Sequence, residues 1–467
     1  MRLGSLLLAA LLAGCTVGPD YVRPDIDTPA TWRVPAGQAA DIANTAWWQG
    51  FGDPVLDRLI GEALHGNRDL RIAAARVDEY AARLGLTRAE AFPQLGYGAN
   101  ANRAEAGSAV PGGQRGNLYQ ATLNLGWELD VWGRIRRASE AARAELLAAE
   151  EGRRAVILSL VSAVATGYIQ LRNLDRQLEI ARETVKSRAE SVRLFRIKRQ
   201  GGVISDLELA QVESEYEQAA VRVPALERQI ALQENALSVL LGRNPGPIAR
   251  GQAADALRLP EVPAGLPSEL LVRRPDIQAA EQALIAANAR IGVARAHYLP
   301  RLSLTGLFGQ ASGELDSLFR SSANLWQIGA DALGPIFTGG RLESGVAAAE
   351  AVQRQTLERY LDAIQTAFRE VDDALVSVAK YRTELAARGR QVAALRTYAA
   401  KARLRYDEGY VSYIEVLDAE RRLFDVELLH AQARADLYAA LVSLYKAMGG
   451  GWIDTADALH KPATRKR

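Results

Sequence analysis

FPQL at residues 92–95 returns as LPRL at residues 299–302, an offset of 207. The same offset carries Asp69 onto Asp276, Arg83 onto Arg290, Gly85 onto Gly292 and Gly133-Arg134 onto Gly340-Arg341. Further along it carries Gly202 onto Gly409, Ser205 onto Ser412, Glu213 onto Glu420 and Gly242 onto Gly449. No insertion or deletion is needed between these anchors, so the chain holds two copies of one structural unit. The copies span residues 67–242 and 274–449. Residues 243–273 connect them, with prolines at 245, 247, 260, 263 and 267 that mark an irregular segment. Residues 15–66 precede the first copy, and 450–467 form a tail.

Each copy reads as helix, two strands, very long helix, turn, helix. NLYQATLNLGWEL puts Tyr119, Ala121, Leu123, Leu125 and Trp127 on one face, with Gln120, Thr122, Asn124 and Glu128 on the other. Its partner places Tyr97, Ala99 and Ala101 opposite Gly98, Asn100 and Asn102. The second copy repeats the pattern, with Trp326, Ile328, Ala330 and Ala332 alternating against Gln327, Gly329 and Asp331. Strands of about ten residues, apolar on one side and small or polar on the other, suit a membrane barrel with a wet lumen. The hairpins of a soluble sandwich would show the same alternation. GGQRG at 112–116 reads as a hairpin tip facing the cell exterior.

After each hairpin, from Arg134 to Arg199 and from Arg341 to Asp407, no proline appears, and Ala, Leu, Glu, Arg and Gln dominate. Each run extends roughly 100 Å if helical, far beyond an ordinary globular helix. SGVAAAEAV and SEAARAELLAAEEG allow helices to approach closely, as in coiled coils. Pro224 predicts a kink in the first return helix, and its mate Ala431 predicts a straighter second one. Residues 155–171, the most apolar stretch of the body, carry Ser159, Ser162, Thr166 and Gly167 and read as a helix buried in protein rather than a membrane span.

Four strands cannot close a barrel, and open edges in lipid would leave unpaired amides at several kcal/mol each. Closure therefore requires several chains, and three copies give twelve strands, within the range known for such barrels. The expected fold class is an α+β membrane protein, a trimeric 12-stranded outer membrane barrel with four strands per chain, continued by a long α-helical periplasmic tunnel. A lipid-tethered periplasmic coiled-coil scaffold without a pore is the rival architecture, which the alternating strands oppose.

The N-terminus fits export. Arg2 followed by Leu3 to Ala13 has the charged start and short apolar core of a secretory signal, residues 1–14. Leu12-Ala13-Gly14-Cys15 resembles a bacterial lipobox, which explains a single cysteine in 467 residues. Cys15 is the expected site of a covalent lipid, and Thr16 after it favours the outer membrane. The 57 Lys plus Arg against 55 Asp plus Glu give no basic stripe, so nucleic acid is not an expected partner. His65, His297, His430 and His460 show no metal-ligand spacing, and no Ser/His/Asp cluster or phosphate-cradling loop is evident. No catalytic residue, metal or cofactor is expected.

WWQGFGDPVLDRLI near the N-terminus, LPSELLVRRPDIQAAEQAL at 266–284, PIFTGGRL at 335–342 and YVSYIEVLDAERRLFDVEL running to LYKAMGGGW resemble the TolC-like outer membrane factor (outer membrane efflux protein) family. The lipobox and the RRPDI block are similar to its OprM/NodT-type lipoprotein branch. The resemblance covers essentially the whole mature chain. It implies a homotrimer in outer membrane lipid, a non-enzymatic exit duct partnered by a periplasmic adaptor (membrane fusion) protein. An inner membrane transporter of the resistance-nodulation-division (RND) type completes the pump it implies. A duct for type I protein secretion is the alternative within the same architecture.

A permanently open pipe would short-circuit the membrane barrier, so the reversal between long and return helices is the natural gate. The resemblance carries an acidic ring position onto Asp418, an arginine onto Arg421 and an apolar gate position onto Ile414. Three copies of Asp418 around an axis would form a cation-favouring constriction. Arg405 or Arg421 would hold it shut through neighbouring helices, and Asp206, near the equivalent turn of the first copy, is a further candidate. An ordinary i, i+3 surface pair between Asp418 and Arg421 is the plainer alternative. LDAER stands in the second copy only, where the corresponding stretch of the first reads LELAQVE.

Overall fold

The computed structural model describes residues 16–34, 46–105, 115–259, 270–449, 452, 453 and 456. Cys15 and residues 112–114 of the expected hairpin tip lie outside them. A 3-10 turn at Trp47–Phe51 leads into α1 (Pro54–Gly66) and α2 (Arg68–Ala89), then β1 (Gln94–Glu105) and β2 (Arg115–Leu129). α3 (Arg134–Gln200) follows, then α4 (Asp206–Ala220) and α5 (Arg222–Leu240). After the single turn α6 (Leu270–Arg273) come α7 (Pro275–Ala296), β3 (Arg301–Ser312), β4 (Asn324–Leu333), α8 (Arg341–Asp407) and α9 (Tyr413–Ala447). Adding 207 to both ends of α2, β1 and α3 gives the ends of α7, β3 and α8. Both long helices run for 67 residues.

The departure from this match in the return helices has a local cause. Pro224 has no N–H to donate to the Ala220 carbonyl, and the helix breaks at Val221. At the equivalent Ala431 the amide is intact, and α9 continues unbroken for 35 residues.

Both long helices stop the same way. Gly202 has φ +70° and Gly409 φ +83°, the left-handed conformation that glycine adopts without Cβ strain. The amides of Gly202 and Val203 bond back to the Arg199 and Lys198 carbonyls, and those of Gly409 and Tyr410 to Tyr406 and Arg405. This Schellman pattern satisfies the last helical carbonyls as the chain reverses. A Cβ on either glycine would meet no atom within 4 Å, so Gly409→Ala is expected to cost backbone strain alone. That is about 1–2 kcal/mol, read as a lower midpoint in thermal melting of the helical circular dichroism, with Gly409→Asn losing less.

The chain folds into two compact units, each drawing on both copies. One takes the segment up to Ile26, Ala75–Glu151 and Ala279–Asp362; the other takes Asp27–Ala74, Gly152–Gln278 and the chain from Ala363 onward.

The first unit carries an antiparallel sheet of order β1-β2-β3-β4. Its register aligns the side chains predicted to share a face. One rung runs Tyr97, Leu123, Phe308, Trp326, and the next runs Leu95, Leu125, Gly306, Ile328. The other face carries rungs such as Asn100 opposite Gln120, and Glu128, Ser303 and Asp331 in line. Tyr97 is 90 % exposed and Ile328 81 % exposed. So large an apolar face left open marks a surface built for another apolar phase. The outer edges of β1 and β4 pair with no strand among the described residues.

In the same unit Ala141 and Ala144 of α3 bury against Ala286 and Ala289 of α7, the close approach that alanine permits. The segment after residue 15 is strapped across these helices. The Val17 amide donates to the Trp132 carbonyl at 3.1 Å, and buried Arg137 donates to Asp20 at 2.6 Å. Asn288 donates to the Pro19 carbonyl, and Tyr21 to Glu281. Gly292 is where the strap passes closest: a Cβ there would lie 2.7 Å from the Val17 carbonyl oxygen. Its repeat mate Gly85 has open space.

The second unit buries the main core. Ile157, Val161, Val164, Ala165, Tyr168 and Leu171 of α3 all lie within it, so the apolar stretch 155–171 packs against protein. Trp47 stacks on Tyr445 at 4.8 Å and meets Trp452 edge to face. The fully buried Asp53 caps α1 through the Val55 amide. It also accepts from the Tyr168 hydroxyl at 2.7 Å and the Gln252 amide at 3.0 Å, which compensates the cost of burying a carboxylate.

Candidate functional site at the helical tips

The turns joining α3 to α4 and α8 to α9 lie in the second unit and share a small core. Val192 and Phe195 of α3, Val212 of α4, Ala402 of α8, and Tyr413, Val416 and Ala419 of α9 are buried together. Around this core the two copies solve one problem with different chemistry. In the first, Arg199 at the end of α3 forms a two-point ion pair with Asp206 at the start of α4. That pair lowers the Asp206 pKa, hydrogen bonding first and charge second. The positions 207 residues on are Tyr406 and Tyr413, whose rings meet edge to face at 4.8 Å. Phe195 packs on Tyr413 at 4.3 Å.

A polar side chain also ties the tips together. Lys198 Nζ donates to the Tyr406 hydroxyl at 3.0 Å and sits 5.1 Å from that ring's centroid and 5.4 Å from that of Phe195, favourable cation–π geometry. Deeper in, buried Arg188 pairs with Glu215 at 3.1 Å and lies over the Phe424 ring. Burial raises the pKa of Glu420, with Arg403 and Arg188 opposing.

Each expected gate residue lies at this end of the second unit. Asp418 is half-buried on α9, accepts from Arg421 at 3.1 Å and forms an ion pair with Arg422 at 2.9 Å. Both arginines stand on its own helix, because the i, i+3 and i, i+4 spacings bring them over the same face. Arg421 thus holds Asp418 within α9 rather than reaching a neighbouring helix of this chain. Arg405 does cross, from α8 to Glu415 of α9 at 3.7 Å. Ile414 is 58 % exposed. The sequence reading did not single out Lys198, Arg199, Tyr406, Glu415 or Arg422 as site residues. Comparing the two tips position by position at the 207 offset would have exposed the exchange of an ion pair for an aromatic pair.

Among the described residues no group of three or more His, Cys, Asp or Glu side chains is arranged to hold a metal ion. The polypeptide contributes an open-edged sheet, apolar outside and polar inside, and long helices that reverse in a charged, aromatic tip. Those features define one share of an oligomeric β-barrel channel.

Comparison with known proteins gives the family. A family model described as "Outer membrane efflux protein" matches residues 59–243 and 266–450, the two copies at the same 207-residue offset, and the chain belongs to that family. It is 39% identical to the solvent efflux pump outer membrane protein SrpC of Pseudomonas putida, over 97% of this chain and 99% of that one. It is 38% identical to the cation efflux system protein CusC of Escherichia coli, over 95% and 97%. The crystal structure of the Campylobacter jejuni CmeC outer membrane channel superposes with a TM-score of 0.90 at 26% identity, covering 96% of this chain and 98% of that one. The protein is an outer membrane efflux channel that extends into the periplasm, not an enzyme, and its fold is that of the trimeric, twelve-stranded channels.

Proposed function

We propose that the chain works as a homotrimer forming the exit duct of a tripartite efflux pump. It passively conducts small molecules that an inner membrane RND-type transporter delivers through a periplasmic adaptor. The observation that carries this reading is the four-stranded sheet, with one exposed apolar face and two unpaired edges. Such a sheet is stable in lipid only when other copies close it. The relatives, a solvent efflux pump protein and a cation efflux system protein among them, support small-molecule efflux over type I protein secretion. Purified protein is expected to run as a heat-modifiable trimer and to form ion-conducting pores in planar bilayers. A water-soluble monomer without conductance would overturn the proposal.

The tips support an adaptor contact. Ile197 and Leu404, Val203 and Tyr410, and Leu207 and Ile414 are repeat-equivalent pairs, and all six side chains are exposed. Apolar groups repeated at the end of a charged helical pair are what a protein partner would cover. On this reading Asp418, Arg421, Ile414, Arg405 and Asp206 belong to the periplasmic gate, with the Lys198–Tyr406 bond as an added latch.

The lipid anchor at Cys15 belongs to the same proposal. Thr16, the next residue, lies against Gly133 between β2 and α3. An acyl chain on Cys15 would start where the strands leave the membrane, and its burial contributes about 0.8 kcal/mol per CH₂. Cys15→Ser is expected to abolish the acylated N-terminal mass in mass spectrometry while trimers still assemble, because the barrel is itself an anchor. An unmodified wild-type N-terminus would overturn the lipid assignment.

A further inference from the structure

The duplication lets each charge cluster be compared with its copy, and one comparison is unbalanced. At the base of the sheet in the first copy, Arg134 is held by Glu128 at 2.8 Å and by Glu90 at 3.0 Å. Asp130 beside it accepts from the Ile135 and Arg136 amides. The second copy keeps the arginine as Arg341. The positions of Glu90, Glu128 and Asp130 are occupied there by His297, Pro335 and Phe337. All three carboxylates are gone, and among the described residues Arg341 makes no side-chain hydrogen bond or ion pair.

What stands beside Arg341 is a cavity of about 280 Å³. Arg134, Arg301, Arg341 and His297 line it together with the carboxylates of Glu128 and Asp130, and Leu333, Pro335 and Leu342 complete the wall. Arg301 enters from the polar face of the sheet, where it shares Glu128 with Arg134, so the cavity opens on the side that faces the duct. Burial first, then the charges of Arg134, Arg301 and Arg341, lowers the His297 pKa, with Glu128 opposing. With His297 neutral, the three arginines of the lining, Arg134, Arg301 and Arg341, exceed its two carboxylates, Glu128 and Asp130, by one positive charge. In a closed barrel the 207-residue symmetry would bring Gln94 of the next copy beside Arg341 as Arg301 stands beside Arg134, and Gln94 adds no charge.

We propose that this cavity binds the anionic head, carboxylate or phosphate, of a short-chain amphiphile travelling through the duct. The guanidinium of Arg341 is the primary contact and the leucine and proline wall takes the chain. The proposal rests on the duct reading above. A planar guanidinium without a partner offers two parallel N–H donors to an oxyanion. The volume, a little under the roughly 300–1,000 Å³ of small-molecule sites, suits a head group with a few methylenes.

The test uses the full-length trimer in phosphatidylcholine nanodiscs, titrated calorimetrically with hexyl phosphate. Saturable binding is expected in the wild type, weakened at least about tenfold by Arg341→Gln. His297→Glu should weaken it as much, because it restores the carboxylate that the first copy places against its arginine. Arg341→Lys keeps the charge and should retain binding. Absence of binding in the wild type, or wild-type affinity in the Arg341→Gln or His297→Glu variant, would overturn the proposal. So would competition from phosphatidylglycerol placed in the nanodisc, which would assign the cavity to a lipid headgroup. Trimer migration and bilayer conductance of the same samples report on the duct separately, so a failed titration with intact conductance sinks only this site.

Discussion

A chain carrying Ile328→Arg is expected to be made and exported but to yield no heat-modifiable trimer in the outer membrane. Ile328 lies midway along β4 on the apolar face. Its rung neighbour is Gly306, which has no side chain to shelter a charge. An arginine facing lipid at mid-depth costs about 2–4 kcal/mol, and three copies in one barrel make that about 6–12 kcal/mol. This matches the whole stability of an ordinary domain, about 5–15 kcal/mol. The adjacent Gln327→Arg is the control, because period-two alternation turns it to the wet side. It should assemble normally and change only ion conduction. Normal trimer yield from Ile328→Arg, with failure of Gln327→Arg, would show that the faces had been assigned the wrong way round.

That prediction could be drawn from sequence, and the reason is physical. Membrane strands must alternate, and long helices must omit proline, so both leave periodic records that survive without a structure. A duplication with no insertions then fixes the boundaries: α3 and α8 end at residues 200 and 407 because Gly202 and Gly409 reverse the chain. The tip chemistry left no such record. Lys198 and Tyr406 are 208 residues apart and belong to no common period, and their contact exists only because two hairpins pack side by side. Asp418 was legible through family resemblance, but its double engagement by Arg421 and Arg422 was not. An i, i+3 and an i, i+4 arginine are both within reach of one carboxylate, and only rotamers decide which of them uses it. The strap across Gly292 was equally hidden, since Gly85 and Gly292 look alike in sequence while only one is covered.

Asp418→Ala is expected to raise single-channel conductance and lower the preference for cations over anions. The pairing seen on α9 explains how one substitution does both. With the carboxylate in place, Arg421 and Arg422 are drawn toward it and the three groups carry one net positive charge. Without it both guanidiniums are released and the net charge per chain rises to two. If three α9 helices converge as proposed, six unpaired arginines repel across the constriction and favour the wider state. A passing cation also loses the carboxylate's attraction, about 1 kcal/mol at 4 Å in water, which is roughly a fivefold change in its local concentration. The measurement is the potassium-to-chloride permeability ratio from reversal potentials under a salt gradient, taken with unitary conductance in planar bilayers. Asp418→Glu, which keeps the acceptor, should stay near wild type, while Arg421→Ala with Arg422→Ala should sharpen cation preference by leaving the carboxylate unopposed. Permeability ratios unchanged across these variants would place the constriction elsewhere and leave Asp418 as a surface helix pair.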